Sequence, residues 1–166
     1  AQAEKRASSL QLEILKPWDM DVSTTGKAAL KPFQNGTELI DKSIACFNAI
    51  NPTLGQMLSI MKENNLFDVE SRKGKAPGGY NYPLAETGAP FIFINSANSV
   101  RDLTTMVHEG GHAIHTFLTA DLELNDFKQC PSEVAELASM SMELISMEDW
   151  HLYFDKEEDL MRAKRE

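Results

Sequence analysis

The spacing of hydrophobic positions changes twice along the chain, and each change marks a different kind of element. Residues 1–15 read as a helix, which Lys16-Pro17-Trp18-Asp19 breaks because proline disfavours helix in the residue before it. Leu39, Ile40, Ile44, Phe47 and Ile50 recur at helical spacing, so a helix is expected from a cap at Thr37 to about Ile50. Another is expected from Pro52, with proline in its first turn, to about Asn64. The pattern then shortens. Leu66-Phe67-Asp68-Val69-Glu70 is a candidate strand, Lys73 to Gly79 is a glycine-rich loop, and Tyr80-Asn81-Tyr82 alternates. Pro90-Phe91-Ile92-Phe93-Ile94-Asn95 is the clearest strand, dense in aromatic and β-branched residues. Helical spacing returns with Ser99 as a cap, over Val100 to about Leu118. Pro131-Ser132 then opens a helix from Glu133 to about Glu148, and the segment from Trp150 reads as helical too. The fold class expected is mainly α with a small β-sheet, in one domain. Residues 1–66 are its helical part, 67–98 its sheet and loop, and 99–166 its last helices.

Composition narrows the possible partners. Asp and Glu number 25 against 16 Lys and Arg, a net charge of −9 over 166 residues. A net-acidic chain suits neither nucleic acid nor an anionic membrane surface. The longest apolar run, Ala89 to Ile94, is six residues, where a spanning helix needs about 20. The first residues lack the charged and apolar regions of a signal peptide. The two cysteines, Cys46 and Cys130, lie far apart and read as free thiols of a reducing compartment. The chain begins at Ala1 and its last residues carry no helix-stop signal, so both ends read as cut.

The candidate chemistry sits in Val107-His108-Glu109-Gly110-Gly111-His112-Ala113-Ile114-His115. On a helix, His108 and His112 stand about 40° apart and one turn along, so both imidazoles can reach one metal ion. Glu109 flanks that ion, placed to hold a metal-bound water. Gly110 and Gly111 each cost about 1 kcal/mol against alanine in a helix interior. Two in a row imply that a strand or another helix approaches the backbone closely. A zinc ion held by two histidines needs a third protein ligand, and a carboxylate is common in metallopeptidases. The helix from Glu133 to Ile145 is apolar almost all round and is expected to be buried. A buried carboxylate there needs a cation or donors. Glu136, 28 residues after His108, is the candidate ligand. Glu143 shares its face and could support a ligand, with Glu133 and Ser139 as weaker candidates; Glu133 and Glu143 read equally well as a solvated face. The alternative extension with a third histidine needs glycine at 115 and histidine at 118, and those positions hold His115 and Leu118. His115 either enters the cleft or lies on the surface. The glycine-rich loop lacks the lysine-serine/threonine ending of a phosphate loop and reads as a turn.

These residues carry a resemblance. His108 to His115, followed by Ala135-Glu136-Leu137-Ala138-Ser139, resembles the active site of the thimet oligopeptidase and oligoendopeptidase F family. The Gly74-Lys75-Ala76-Pro77-Gly78-Gly79 loop, the Pro90 to Asn95 strand and Leu15-Lys16-Pro17-Trp18-Asp19 are similar to that family as well, nearer its oligoendopeptidase F branch. The resemblance implies a zincin-like metallopeptidase core of the glutamate type. It implies one zinc per chain on His108, His112 and Glu136, with Glu109 as the base in metal-assisted hydrolysis of short peptides, usually in the cytoplasm. It also implies that the Phe91–Ile94 strand is an edge strand that pairs with the substrate backbone, although a plain core strand fits its side chains equally well. Family members are several times longer than this chain. Their later segment, which supplies tyrosine and histidine residues that stabilise the transition state, has no counterpart here. Tyr80 and Tyr82 are guesses for that role. The chain is therefore expected to be the metal-binding core of a longer peptidase, weakly active or inactive alone. Its partners would be short peptides, and either the remainder of the peptidase or a second copy on exposed apolar faces. The rival expectation is a non-catalytic helical module that binds metal or a partner.

Overall fold

The computed structural model describes every residue except 1, 21, 23, 25, 85 and 166. It falls into two compact units, Ala1–Leu30 and Lys31–Glu166. In the first, helix α1 covers Gln2–Ser9 and a 3₁₀ turn covers Pro17–Asp19. The expected helix over 1–15 is thus shorter. Gln11 adopts a left-handed φ of 57°, and the Leu12 N–H turns back to the Ala7 carbonyl at 2.9 Å. No glycine announces that stop; a left-handed glutamine makes it. Arg6 ties the turn down, donating from Nε to the Asp19 carbonyl at 3.2 Å and from Nη2 to the Val22 carbonyl at 2.6 Å.

The second unit holds helices α2 (Gly36–Ile50) and α3 (Pro52–Glu63), then strands β1 (Phe67–Asp68), β2 (Gly79–Leu84) and β3 (Ala89–Ile94). Helices α4 (Val100–Thr119), α5 (Ser132–Ser146) and α6 (Glu157–Ala163) follow, with 3₁₀ turns at Asn125–Lys128 and Met147–Leu152. Asn35, not Thr37, caps α2: its side chain accepts from the Glu38 N–H at 2.9 Å. The core is built from Leu39, Cys46 and Phe47 of α2, Leu58 and Met61 of α3, Ile92 and Ile94 of β3, and Leu103, Met106 and Val107 of α4, all buried. Burial pushes the Cys46 thiol up to about 12, as suits a core thiol.

Two expectations are corrected here. Strand β3 is not an edge strand. The sheet order is β1-β3-β2, with β1 parallel and β2 antiparallel to β3, so β2 carries a free edge. Alternation within β3 buries Pro90, Ile92 and Ile94 beneath α4 and leaves Phe91 and Phe93 half-buried on the opposite face. Helix α5 is not buried either: Leu137 is 67% and Leu144 69% exposed, and only Ser139 and Ser146 of this helix are buried. It meets α4 along a narrow seam of small and polar side chains and leaves its apolar side open.

The glycine-rich loop is held by Lys75. Its side chain is only 1% exposed. Nζ donates to the carbonyls of Asp68, Glu70 and Ile94 at 2.9, 2.8 and 2.7 Å and to Asp68 Oδ1 at 2.9 Å. It also lies 4.5 Å from the centre of the Phe93 ring. Arg72, and after it Lys75, hold the Asp68 carboxyl well below the usual carboxylate range. Lys75→Met is expected to destabilise the protein by about 3 kcal/mol, because it leaves three carbonyls without their donor and Asp68 with Arg72 alone. A shift in the urea midpoint measures this; an unchanged midpoint would show that water replaces the ammonium.

Candidate metal centre

Helix α4 starts at a reciprocal cap. Asp102 N–H donates to Ser99 Oγ, and Asp102 Oδ2 accepts from the N–H groups of Ser99 and Ala97 at 2.8 and 2.9 Å. From that start, helical spacing carries His108 and His112 to one face, with ring centres 4.8 Å apart and planes at 84°. The two glycines between them are contact points. A Cβ on Gly110 would stand 2.8 Å from Phe47 Cζ, and one on Gly111 would stand 3.0 Å from the Ser139 Cα. Gly111 thus lets the α5 backbone close onto α4.

That closure assembles the polar cluster. Glu136 Oε2 lies 3.2 Å from His108 Nε2, and Glu136 Oε1 lies 3.6 Å from His112 Nε2. On the far side of each ring, Glu143 Oε1 is 2.6 Å from His108 Nδ1 and Ser139 Oγ is 2.8 Å from His112 Nδ1. Ser139 donates its own proton to the Ala135 carbonyl at 3.0 Å, so towards His112 it accepts. These partners favour the tautomer with the proton on Nδ1, which turns a lone pair of each neutral ring outward at Nε2. Two lone pairs and a carboxylate then converge, one atom from each residue, within 4.8 Å and with no donor among them. Electron-pair donors facing one another call for a cation. Two imidazoles and a carboxylate, with the distal nitrogens held by protein groups, form a donor set that fits zinc. Burial lowers the pKa of His112, with His108 adding to the effect, which favours the neutral ring that a metal needs.

Glu109 is 8% exposed. Burial pushes its carboxyl upward and the nearby Glu136 adds to this, whereas His108 and the Asn81 backbone pull it down. A cleft of about 580 Å³ runs from His108, Glu109 and Glu143 past Gly79 to Arg101.

The remaining candidates lie elsewhere. Glu133 is exposed in the first turn of α5 and bonds neither imidazole. His115 Nδ1 faces the exposed Cys130 Sγ at 3.9 Å, outside the converging set. Tyr80 stacks on Phe93 with centres 4.9 Å apart, and Tyr82 pairs with Phe91, so both occupy the sheet face turned away from α4. They are misplaced as donors to a reaction at the cluster, because a β-strand sends alternate side chains to opposite faces. The residue that sequence reasoning passed over is Asn81, between those tyrosines. It is on the α4 side, its backbone lies close enough to Glu109 to lower that carboxyl, and its buried Nδ2 has no hydrogen-bond partner. The signal was visible as a small amide alternating with two aromatics.

Glu143→Gln is expected to weaken zinc affinity about 10- to 100-fold, since a neutral amide orients the His108 ring less firmly and makes it less basic. Competition with a fluorescent chelator reads this out, and an affinity equal to wild type would remove Glu143 from the site.

The chain is similar to known peptidases. The chain is 29% identical over 144 residues to oligopeptidase PepF of Bacillus subtilis, covering 84% of this chain and 20% of that protein. It is 31% identical over 145 residues to the chromosomal oligoendopeptidase F of Lactococcus lactis subsp. cremoris, covering 87% and 23%. The structure of PZ peptidase A with an inhibitor superposes with a TM-score of 0.84 at 29% identity, over 98% of this chain and 28% of that one. The chain thus spans 20–23% of the length of these two curated relatives. Its mainly helical, zincin-like core and small three-stranded sheet are the architecture of that group. Residues 2–166 match the sequence model of peptidase family M3, and the chain belongs to that family.

Proposed function

We propose that this chain is the metal-binding core of a cytoplasmic, zinc-dependent endopeptidase that hydrolyses short peptides. The observation that carries the reading is the convergence of His108 Nε2, His112 Nε2 and a Glu136 carboxylate oxygen beside the buried Glu109. A zinc ion held by those three residues would supply a Lewis acid that acidifies water and polarises a peptide carbonyl. Glu143 and Ser139 hold the imidazoles so that Nε2 stays unprotonated. Glu109 takes a proton from the attacking water and returns it to the leaving amine; its burial favours a carboxyl that can hold that proton for part of the cycle. Short peptides and the cytoplasmic setting rest on the likeness to the oligopeptidases.

The free edge of β2 supports an extended substrate. Asn95 N–H donates to the Gly78 carbonyl at 3.0 Å, and the register pairs Tyr80 with Phe93 and Asn81 with Ile92. Hydrogen-bonded pairs alternate along such a ladder. The backbone groups of Gly79, Asn81 and Pro83 therefore point away from β3, towards an incoming strand. Ile92 N–H correspondingly turns to Leu66 on the other side, at 3.0 Å.

The exposed apolar side of α5 favours a second reading, a module whose work is done with a partner. In the peptidase reading that side meets the remainder of a longer enzyme or a second copy. Elemental analysis and hydrolysis of an internally quenched peptide separate the two. One zinc per chain with cleavage that chelators abolish supports the peptidase; zinc without cleavage by any longer form of the chain supports the module.

A further inference from the structure

The cleft has a far end that the metal chemistry does not use. A Cβ on Gly79 would stand 2.6 Å from Thr105 Cγ2, and the Asn81 backbone lies close to Glu109. Strand β2 and helix α4 therefore run side by side in the same direction. The rises agree: four helical residues climb about 6 Å and two strand residues about 6.8 Å. One more turn back along α4 brings Arg101 abreast of Pro77, and both line the cleft. Arg101 is exposed, and among the described residues it makes no hydrogen bond or ion pair. It is also the one lysine or arginine among the described residues that line the cleft. Two of the acids beside it are engaged, Asp102 by the N–H groups of Ser99 and Ala97 and Glu143 by His108, and Glu109 is buried.

A peptide laid antiparallel on the free edge of β2, with its reacting bond abreast of Glu109, sends its C-terminal end towards Gly79 and Arg101. Laid parallel, it would bring an N-terminal ammonium to a guanidinium, and like charges repel. Eight helical residues separate Arg101 from Glu109, about 12 Å, which an extended chain covers in about three to four residues. A guanidinium is planar and pairs with carboxylate through two parallel hydrogen bonds. We propose that Arg101 is a specificity-determining residue that binds a substrate carboxylate, a free C-terminus above all, about three to four residues beyond the cleaved bond. The proposal rests on the peptidase reading. It makes the cleft a ruler that measures from the reacting bond to the end of the peptide.

The test uses zinc-loaded chain and peptides capped at the N-terminus by a hydroxamate, which anchors on zinc and fixes the register. The series carries one to six residues after the anchor, each as free acid and as C-terminal amide, with binding measured by calorimetry. At three or four residues the acid is expected to bind about tenfold more tightly than the amide. That preference is expected to fade at other lengths and with added salt, which screens exposed charges. Arg101→Gln should bind acid and amide alike, Arg101→Lys should retain part of the preference, and the melting temperature of both should match wild type because the side chain is exposed. Equal affinity for acid and amide at every length overturns the proposal, as does a preference that survives Arg101→Gln. If no hydroxamate binds to zinc-loaded chain, the peptidase reading itself fails, a result that differs from hydroxamates that bind without regard to their C-terminus.

Discussion

In a longer form of the chain that cleaves peptides, Glu109→Gln is expected to lower the rate of hydrolysis about a thousandfold while zinc content stays at the wild-type level. The variant separates proton transfer from everything else Glu109 does. Glutamine has the same shape and keeps an oxygen that can face the Asn81 backbone. Packing at this buried position is therefore preserved. What is lost is an oxygen that can take a proton from water and deliver it to the leaving amine. Glu109 is not among the three converging donors, so metal should bind as before. The measurement is turnover of a quenched peptide alongside zinc stoichiometry on the same preparation. A rate equal to wild type would mean that another group is the base. A parallel loss of zinc would mean that Glu109 supports the metal instead.

Zinc is expected to raise unfolding stability by about 4 kcal/mol when free metal is near 1,000 times its Kd, which for a chain of this length is roughly 10 °C in Tm. The reason is topological. His108 and His112 stand on α4 and Glu136 on α5, so the three ligands come together only while the two helices are packed, and an ion bound there favours the folded chain. Glu136 is 51% exposed, so the metal would also fix a carboxylate that is otherwise half in solvent. Calorimetric scans with and without zinc measure the shift. His112→Ala and Glu136→Gln should lose most of it, because each removes a ligand. Glu109→Gln should keep it in full. A shift that survives Glu136→Gln would show that α5 contributes no ligand, and the third position would then belong to another group.

Much of the fold was legible because its signals are local. Asn51 and Ser99 cap α3 and α4 through their own side chains, Pro52 opens a helix, and the spacing from Leu103 to Ile114 marks a buried stripe on α4. The errors share one cause. The first helix ends at Gln11 in a left-handed conformation that any sequence reading assigns to glycine first. Helix α5 is apolar all round, which a single sequence equates with burial, yet it lies on the outside of this chain. Tyr80 and Tyr82 are only guesses for a transition-state donor in the sequence, and the pleat turns them to the far face of the sheet.

The sequence by itself determined what a helix needs only its own spacing to do. His108 and His112 share a face because they are four apart, and Glu109 follows because it is next in line. It also demanded a close neighbour at Gly110 and Gly111 without saying which. Only the tertiary structure decided that Phe47 fills one position and the backbone at Ser139 the other. That packing choice sets the approach of α5, and with it the meeting of Glu136 and Glu143 with His108 and of Ser139 with His112. Strand order was settled at the same level: β3 lies in the middle because β1 and β2 both pair with it, which leaves the edge of β2 open beside Glu109. Such pairings join residues far apart in sequence, 35 positions for His108 and Glu143. They depend on the shape of both surfaces at once, and the periodicity of either segment alone does not contain that information.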